Sequence, residues 1–266
     1  MKHISSRDNP LYKRAVRLAD GKRVLDESGR PGYLVLLEGI HLCQEWLRRH
    51  GTPDLALFDA QRLHQNPELQ SLADAMNSAV AVTCEPPLIN ALSQVGHGQG
   101  VYFVVLAPVP DMPERIDHNC LWLDRVQDPG NVGTLLRTAA AAGIIHAYLS
   151  PGCASAWSAK VLRSAQGAHF AMAVHENVNL HTAREQLAVP MLATALDAAG
   201  SLYDTKLPPR CAWLFGNEGR GADPVLLAAA DCRVFIPQST GVESLNVAVA
   251  AGICLFEQRR VHGPHI

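Results

Sequence analysis

Neither of the two common nucleotide-binding signatures occurs in this chain. GxGxxG is absent, and so is GxxxxGK[ST], so neither a dinucleotide-type Rossmann site nor a P-loop has direct support. No pair of the seven cysteines has CxxC spacing, and no His-x-x-x-His accompanies them, which argues against a zinc site. The odd number, mostly in apolar surroundings, fits reduced, buried thiols. No stretch reaches transmembrane length and no apolar h-region opens the chain, so a cytoplasmic protein without a membrane or metal partner is expected. Strong charge is missing too: the net value is −2 over 266 residues. That does not announce a nucleic-acid binder.

What is present is nearly half hydrophobic, enough for a sizeable core in one large or two modest domains. Residues 1–30 carry eight basic side chains against four acidic ones. Two readings stand: an electrostatic handle for phosphates, or a solvated helix with paired charges. A helical arm is expected there, started by Asn9-Pro10 and running from Leu11 to Asp20. Four short strands follow, at Tyr33–Leu37, Leu55–Phe58, Ala79–Cys84 and Gly100–Leu106. Helices are expected between them, over residues 40–50, from Pro67 to about Asn77, and from Pro87 to Leu92. Pro108, Pro110 and Pro113 then make a stiff linker. His97, between two glycines, reads as a solvated loop residue rather than a catalytic base.

The second half alternates strand and helix, as a mostly parallel sheet does. The strand Leu121–Val126 ends in Gln127-Asp128-Pro129-Gly130-Asn131-Val132-Gly133 and leads into a helix through Ala142. If that helix begins near Val132, Asn131 is its N-cap and Arg137 lies one to two turns in. Arg137 is a lone charge in an almost uncharged stretch, suited either to an anion or to solvent. Met191–Leu196 and Trp213–Phe215 are further strands, and the latter opens into Gly216-Asn217-Glu218-Gly219-Arg220-Gly221. Three glycines in six residues allow a backbone to approach a ligand closely. Last, Val234-Phe235-Ile236 stops at Pro237, which cannot donate a ladder hydrogen bond. A polar turn follows, then Ser244 as an expected N-cap, then a helix of small residues from Leu245 to Glu257.

Three strings are similar to the three motifs of the SpoU (TrmH-type) RNA ribose methyltransferases of the SPOUT superfamily. They are Asp128 to Gly133 with Arg137, the GNEGRG of Gly216 to Gly221, and Pro237, Gly241 and Ser244 to Ala248. Ser164, Gly167 and Ala168 resemble the family's S-x-x-G-A element. The resemblance covers about residues 117–260. Residues 1–107 resemble an L30e-like RNA-binding domain through Ser5 to Pro10, Leu36 to Gly39 and Gln99 to Val101.

The resemblance implies an α/β architecture in three parts. These are an L30e-like RNA-binding domain with a basic N-terminal arm (1–107), a linker (108–116) and a SPOUT methyltransferase domain (117–266) with a parallel sheet and a deep trefoil knot. It implies S-adenosyl-L-methionine as methyl donor, with contacts at Thr194, Gly216, Asn217, Ile236 and Leu245. It implies transfer to an RNA ribose 2′-hydroxyl, in rRNA rather than tRNA, by a homodimer. The family assigns activation of that hydroxyl to the motif 1 arginine, here Arg137. A guanidinium is too weak an acid to serve easily as a base. Phosphate binding and stabilisation of a developing alkoxide suit Arg137 better. Asn131, Glu218, Ser244 and Asn246 would orient Arg137 and the loops, and Glu218 is equally readable as an anchor for its own glycine loop. The alternatives are a tRNA 2′-O-methyltransferase, a non-catalytic RNA-binding or ribosome-assembly factor on the same fold, and, more remotely, an oxidoreductase.

Overall fold

In the computed structural model, strands and helices alternate along nearly the whole chain. All residues are described except 27, 28, 95, 97, 199, 242 and 264–266, so His97 lies outside the described residues. The chain divides into two compact units. Met1–Pro108 with Trp157–Leu162 forms one, and Val109–Ala156 with Arg163–Ile266 forms the other.

The first unit runs β1 (Lys2–Ile4), α1 (Pro10–Ala19), β2 (Val24–Leu25), β3 (Tyr33–Glu38), α2 (Ile40–His50), β4 (Leu55–Asp59), α3 (Ala60–Leu63), α4 (Pro67–Asp74), β5 (Ala81–Cys84), α5 (Pro86–Leu92) and β6 (Val101–Leu106). Its sheet has the order β1-β5-β4-β6-β3-β2, parallel on the β1-β5-β4 side and antiparallel beyond it. The N-terminal stretch differs from the expected arm. Lys2–Ile4 pairs in register with Val82–Cys84 as an edge strand. Helix α1 is capped by Asn9 and buries Tyr12, Ala15 and Leu18, residues that share one face at this spacing. A three-residue strand reading Lys-His-Ile is too short to show alternation, which is why the sequence hid it. Several of the basic residues there are already paired: Lys13 with Asp8, Lys22 with Asp20, and Arg30 with Asp26 and Asp54. The paired-charge reading therefore holds for these three cations.

The second unit runs β7 (Cys120–Asp124), α6 (Pro129–Ala142), β8 (His146–Leu149), the end of α7 (Ala159–Ala165, of which the residues up to Leu162 belong to the first unit), β9 (Ala173–His175), α8 (Leu180–Gln186), β10 (Met191–Thr194), β11 (Gly200–Ser201), β12 (Ala212–Gly216), α9 (Pro224–Ala228), β13 (Cys232–Phe235) and α10 (Val247–His262). The sheet order is β11-β13-β10-β12-β7-β8-β9, and every pairing is parallel. Strands apolar on both faces suit such a sheet, because helices cover it on both sides. Trp122, Trp213, Tyr148 and Phe215 are fully buried in it.

Two helix starts differ from expectation. Helix α6 begins at Pro129, where a missing N–H costs nothing. Its cap is Asp128, which accepts from the Asn131 amide at 2.8 Å. Asn131 therefore sits inside the first turn, and its side chain is free for other partners. Helix α10 begins at Val247 and is capped by Asn246, not Ser244. Asn246 accepts from the amides of Ala248 and Val249, whereas Ser244 lies two residues before the cap. Helix α10 packs along α6, and a Cβ on Gly252 would lie 3.6 Å from the Thr138 methyl. Arg259 donates to the carbonyl of Ala142 at 2.9 Å, satisfying the end of α6.

Candidate active site

In an open parallel sheet, ligands bind beyond the carboxyl ends of the strands. Here β10, β12 and β13 lie side by side, since β10 pairs with both of the others. Thr194, the last residue of β10, stands opposite Val234, so the loops leaving β10 and β13 start level. Gly216 closes β12 opposite Asp124, which closes β7. The three motif loops thus leave one edge of the sheet.

The loop after β12 is locked by its own backbone. Asn217 and Gly221 exchange two backbone hydrogen bonds, at 3.0 and 2.9 Å. The Asn217 side-chain oxygen accepts from the amides of Gly219 and Arg220, and its side-chain nitrogen donates to the carbonyl of Arg125. Gly216 is obligatory, because a Cβ there would lie 1.9 Å from the amide nitrogen of Ala222.

Glu218 reaches out of this loop to motif 1. Its carboxylate accepts from the amides of Gln127 and Asp128 and from the Asn131 side chain, the last at 3.0 Å. Partial burial alone would raise its pKa, but the hydrogen bonds from Asn131 and from backbone N–H groups outweigh that and hold it below the usual carboxylate range. An ionised carboxylate with those partners is a clamp on the motif 1 loop rather than an anchor for its own glycine loop alone. Asn131 in turn accepts, through its side-chain oxygen, from the Asn246 amide nitrogen at 2.9 Å. Glu218, Asn131 and Asn246 therefore form one continuous relay that ties motifs 2, 1 and 3 together.

Arg137 stands apart from that relay. It is exposed and makes no hydrogen bond or ion pair with any described residue. On a helix of 3.6 residues per turn it shares a face with Gly130 and Thr134, not with Asn131. That face is where Ser164 docks, donating to the Gly130 carbonyl at 2.8 Å and meeting the Thr134 hydroxyl at 3.2 Å. Ser244 is likewise exposed and bonds to no described residue. The orienting group expected around Arg137 thus divides: Asn131, Glu218 and Asn246 hold the loops and one another, and none of them hydrogen-bonds Arg137.

Sequence reasoning missed a second hub. Asp124 is buried and accepts from Ser150, Arg125 and the Asp223 amide, at 3.1, 2.9 and 2.8 Å. Arg125 takes a positive φ of 53°, which costs strain in a residue with a side chain. Its amide donates to Ser150 and its carbonyl receives Asn217, so both neighbouring loops fasten to this one strained peptide. A buried strand-end aspartate was the only available sign, since positive φ leaves no mark in sequence outside glycine.

The remaining expected positions offer walls and backbone. Ile236 is buried and Leu245 half-buried. Just beyond Ile236, the side-chain oxygen of Gln238 is buried and has no hydrogen-bond partner. Strand-end backbone, apolar walls and an unused buried acceptor suit an uncharged nucleoside portion of a ligand. The residues present therefore fit S-adenosylmethionine. Among the described residues no group of His, Cys, Asp and Glu could hold a metal ion.

Comparison with known proteins follows the same lines. The SpoU rRNA Methylase family matches residues 118–256. A 23S rRNA (guanosine(2553)-2'-O)-methyltransferase RlmP of Bacillus subtilis is 34% identical over 232 residues, 84% of this chain and 88% of the relative. A 23S rRNA (guanosine-2'-O-)-methyltransferase RlmB of Nitrosomonas europaea is 34% identical, over 84% of this chain and 90% of the relative. Among solved structures, the AdoMet-bound rRNA methyltransferase from Sinorhizobium meliloti superposes with a TM-score of 0.81 at 26% identity, covering 98% of each chain. With the motif loops joined as described and the match spanning residues 118–256, more than half of the chain, the chain belongs to the SpoU rRNA methylase family.

Proposed function

We propose that this chain is an S-adenosylmethionine-dependent methyltransferase acting on a ribose 2′-hydroxyl of ribosomal RNA. The observation that carries the reading is the Glu218–Asn131–Asn246 relay, which binds the three motif loops into one edge beside an exposed, unpaired Arg137. When bound, S-adenosylmethionine supplies a methyl group activated by its sulfonium. The chain's own part is positioning and electrostatics. Thr194, Gly216, Asn217, Ile236 and Leu245 hold the donor by backbone groups and apolar walls. Arg137 binds a phosphate next to the target ribose and stabilises negative charge as the hydroxyl loses its proton. Holding the two reactants in line supplies most of the acceleration. Ser244, exposed before α10, faces the substrate side of the motif 3 loop.

Three finer features belong to the same proposal. The chain after β13 threads as a trefoil knot. A second copy completes the site, which accounts for Arg137 standing clear of the relay, and the exposed apolar residues Val249, Phe256 and Val261 of α10 suit such a contact. The first unit serves as an L30e-like RNA-holding domain, joined by residues 108–116, in a cytoplasmic enzyme.

The test is methyl incorporation from labelled S-adenosylmethionine into ribosomal and transfer RNA lacking the modification, followed by mapping of 2′-O-methyl positions. One ribosomal position is expected to be labelled. A folded protein that binds the donor yet labels neither RNA would reduce it to a binding factor.

A further inference from the structure

Just past β13, Gln238 has a buried polar atom with no hydrogen-bond partner among the described residues. Its amide nitrogen lies 3.4 Å from the Ile236 carbonyl and donates to it. Its amide oxygen is buried and meets no donor among the described residues. A buried acceptor without a partner costs on the order of 1–3 kcal/mol, so it persists where something else supplies the donor. Ile236 and Gln238 flank Pro237, directly beyond β13 and two and four residues past Val234, which stands opposite the last residue of β10. The carbonyls of Val234 and Phe235 are already taken by the amides of Ala195 and Leu202, so Ile236 is the first carbonyl past the ladder.

We infer that Gln238 is a specificity-determining residue for the methyl donor, its side-chain oxygen accepting from the exocyclic amino group of the donor's adenine. This rests on the strand edge being the donor site. The geometry also makes the choice one-sided. An amide free to turn over could offer either its oxygen or its N–H group. Here the nitrogen is tied to the Ile236 carbonyl, and reversal would set two oxygens against each other there. The oxygen therefore faces the ligand, favours an amino group and opposes a ring carbonyl. A hypoxanthine ring, with oxygen in place of the amino group, would leave the acceptor unsatisfied and add repulsion. Discrimination of this kind exceeds what apolar walls alone achieve.

The experiment is calorimetric, with S-adenosylhomocysteine and S-inosylhomocysteine as probes and no turnover required. The wild-type protein is expected to prefer the adenine probe by about tenfold or more. Gln238→Met removes the oxygen and should bring the two affinities within about threefold, chiefly by weakening the adenine probe. A third probe, the analogue of S-adenosylhomocysteine with hydrogen in place of the adenine amino group, should bind the wild-type protein about tenfold or more weakly than S-adenosylhomocysteine, which keeps the test open if the methionine variant fails to fold. An unchanged adenine preference in folded Gln238→Met overturns the assignment. So does equal binding of the third probe by the wild-type protein. If the wild-type protein binds none of the probes, the donor site itself is misplaced and this inference falls with it.

Discussion

At the scale of single residues, the site separates groups that hold one another from Arg137 and Ser244, which bond to no described residue. Glu218 and Asn131 spend their polar atoms on neighbouring loops, while Arg137 presents its guanidinium unpaired. Arg137→Ala should therefore lower methyl transfer by about a hundredfold or more, with donor affinity changed less than about twofold. Single-turnover rates and calorimetry on the same preparation check this, and a folded variant that loses donor binding would count against the role. Gly216 behaves oppositely. A Cβ placed 1.9 Å from the Ala222 nitrogen meets backbone, which cannot swing away. Gly216→Ala should cost about 3 kcal/mol or more and abolish donor binding, as read from thermal melting and calorimetry. Arg137 and Gly216 were both legible in sequence. The strained Arg125 and buried Asp124 were not, because each matters through partners far along the chain.

At the scale of elements, α10 joins the site through its first residue. Asn246 both caps the helix and donates to Asn131, using its oxygen for one task and its nitrogen for the other. The two tasks can be separated by substitution. Asn246→Asp retains the capping oxygen but turns an oxygen towards the Asn131 side-chain oxygen. It should melt close to wild type and methylate at least about tenfold more slowly. Asn246→Ala should lose both, with about 1 kcal/mol of stability. Melting curves set beside methylation rates distinguish the cases, and an aspartate variant with full activity would show the Asn131 link to be idle. Further along, Gln258 is fully buried and accepts from the Trp213 indole while donating to Asn119 and the Pro208 carbonyl. This network fastens the end of α10 under β12. Helical periodicity marked α10 as a helix but placed its start two residues early, since Ser and Asn are near-equal caps and only packing chose between them.

At the scale of the whole molecule, two kinds of buried histidine set an acid limit. His169 is almost fully buried, and burial pushes its pKa down to about 4. His146 is also pushed down to about 4, by burial first and then by His118 and His175. His118 and His146 stack at 3.7 Å, Tyr148 and His175 at 4.6 Å, and Asp117 is the acidic group beside them, 3.8 Å from His118. These histidines are neutral in the fold but take a proton at about pH 6.5 when unfolded. Stability is therefore whole above that value and falls as pH drops from about 6.5 towards 4, by about 3 kcal/mol for His169 alone. Denaturant midpoints measured across that range should decline steadily, and His169→Phe should flatten the decline. A flat profile in the wild-type protein would mean that His169 charges within the fold.

What the sequence settled by itself was local: which runs are strands, where glycine must stand, and which three strings carry the family's chemistry. The first two follow from propensity, periodicity and residue type, readable within about a dozen positions, and the third from the resemblance to the family. Tertiary structure decided which polar atoms meet. It drew Asn246 to Asn131 and Glu218 to the start of motif 1, and among the described residues it left Arg137 unpaired and the buried Gln238 oxygen without a donor. A hydrogen bond between residues about a hundred positions apart depends on strand order and helix packing. No window of sequence contains either.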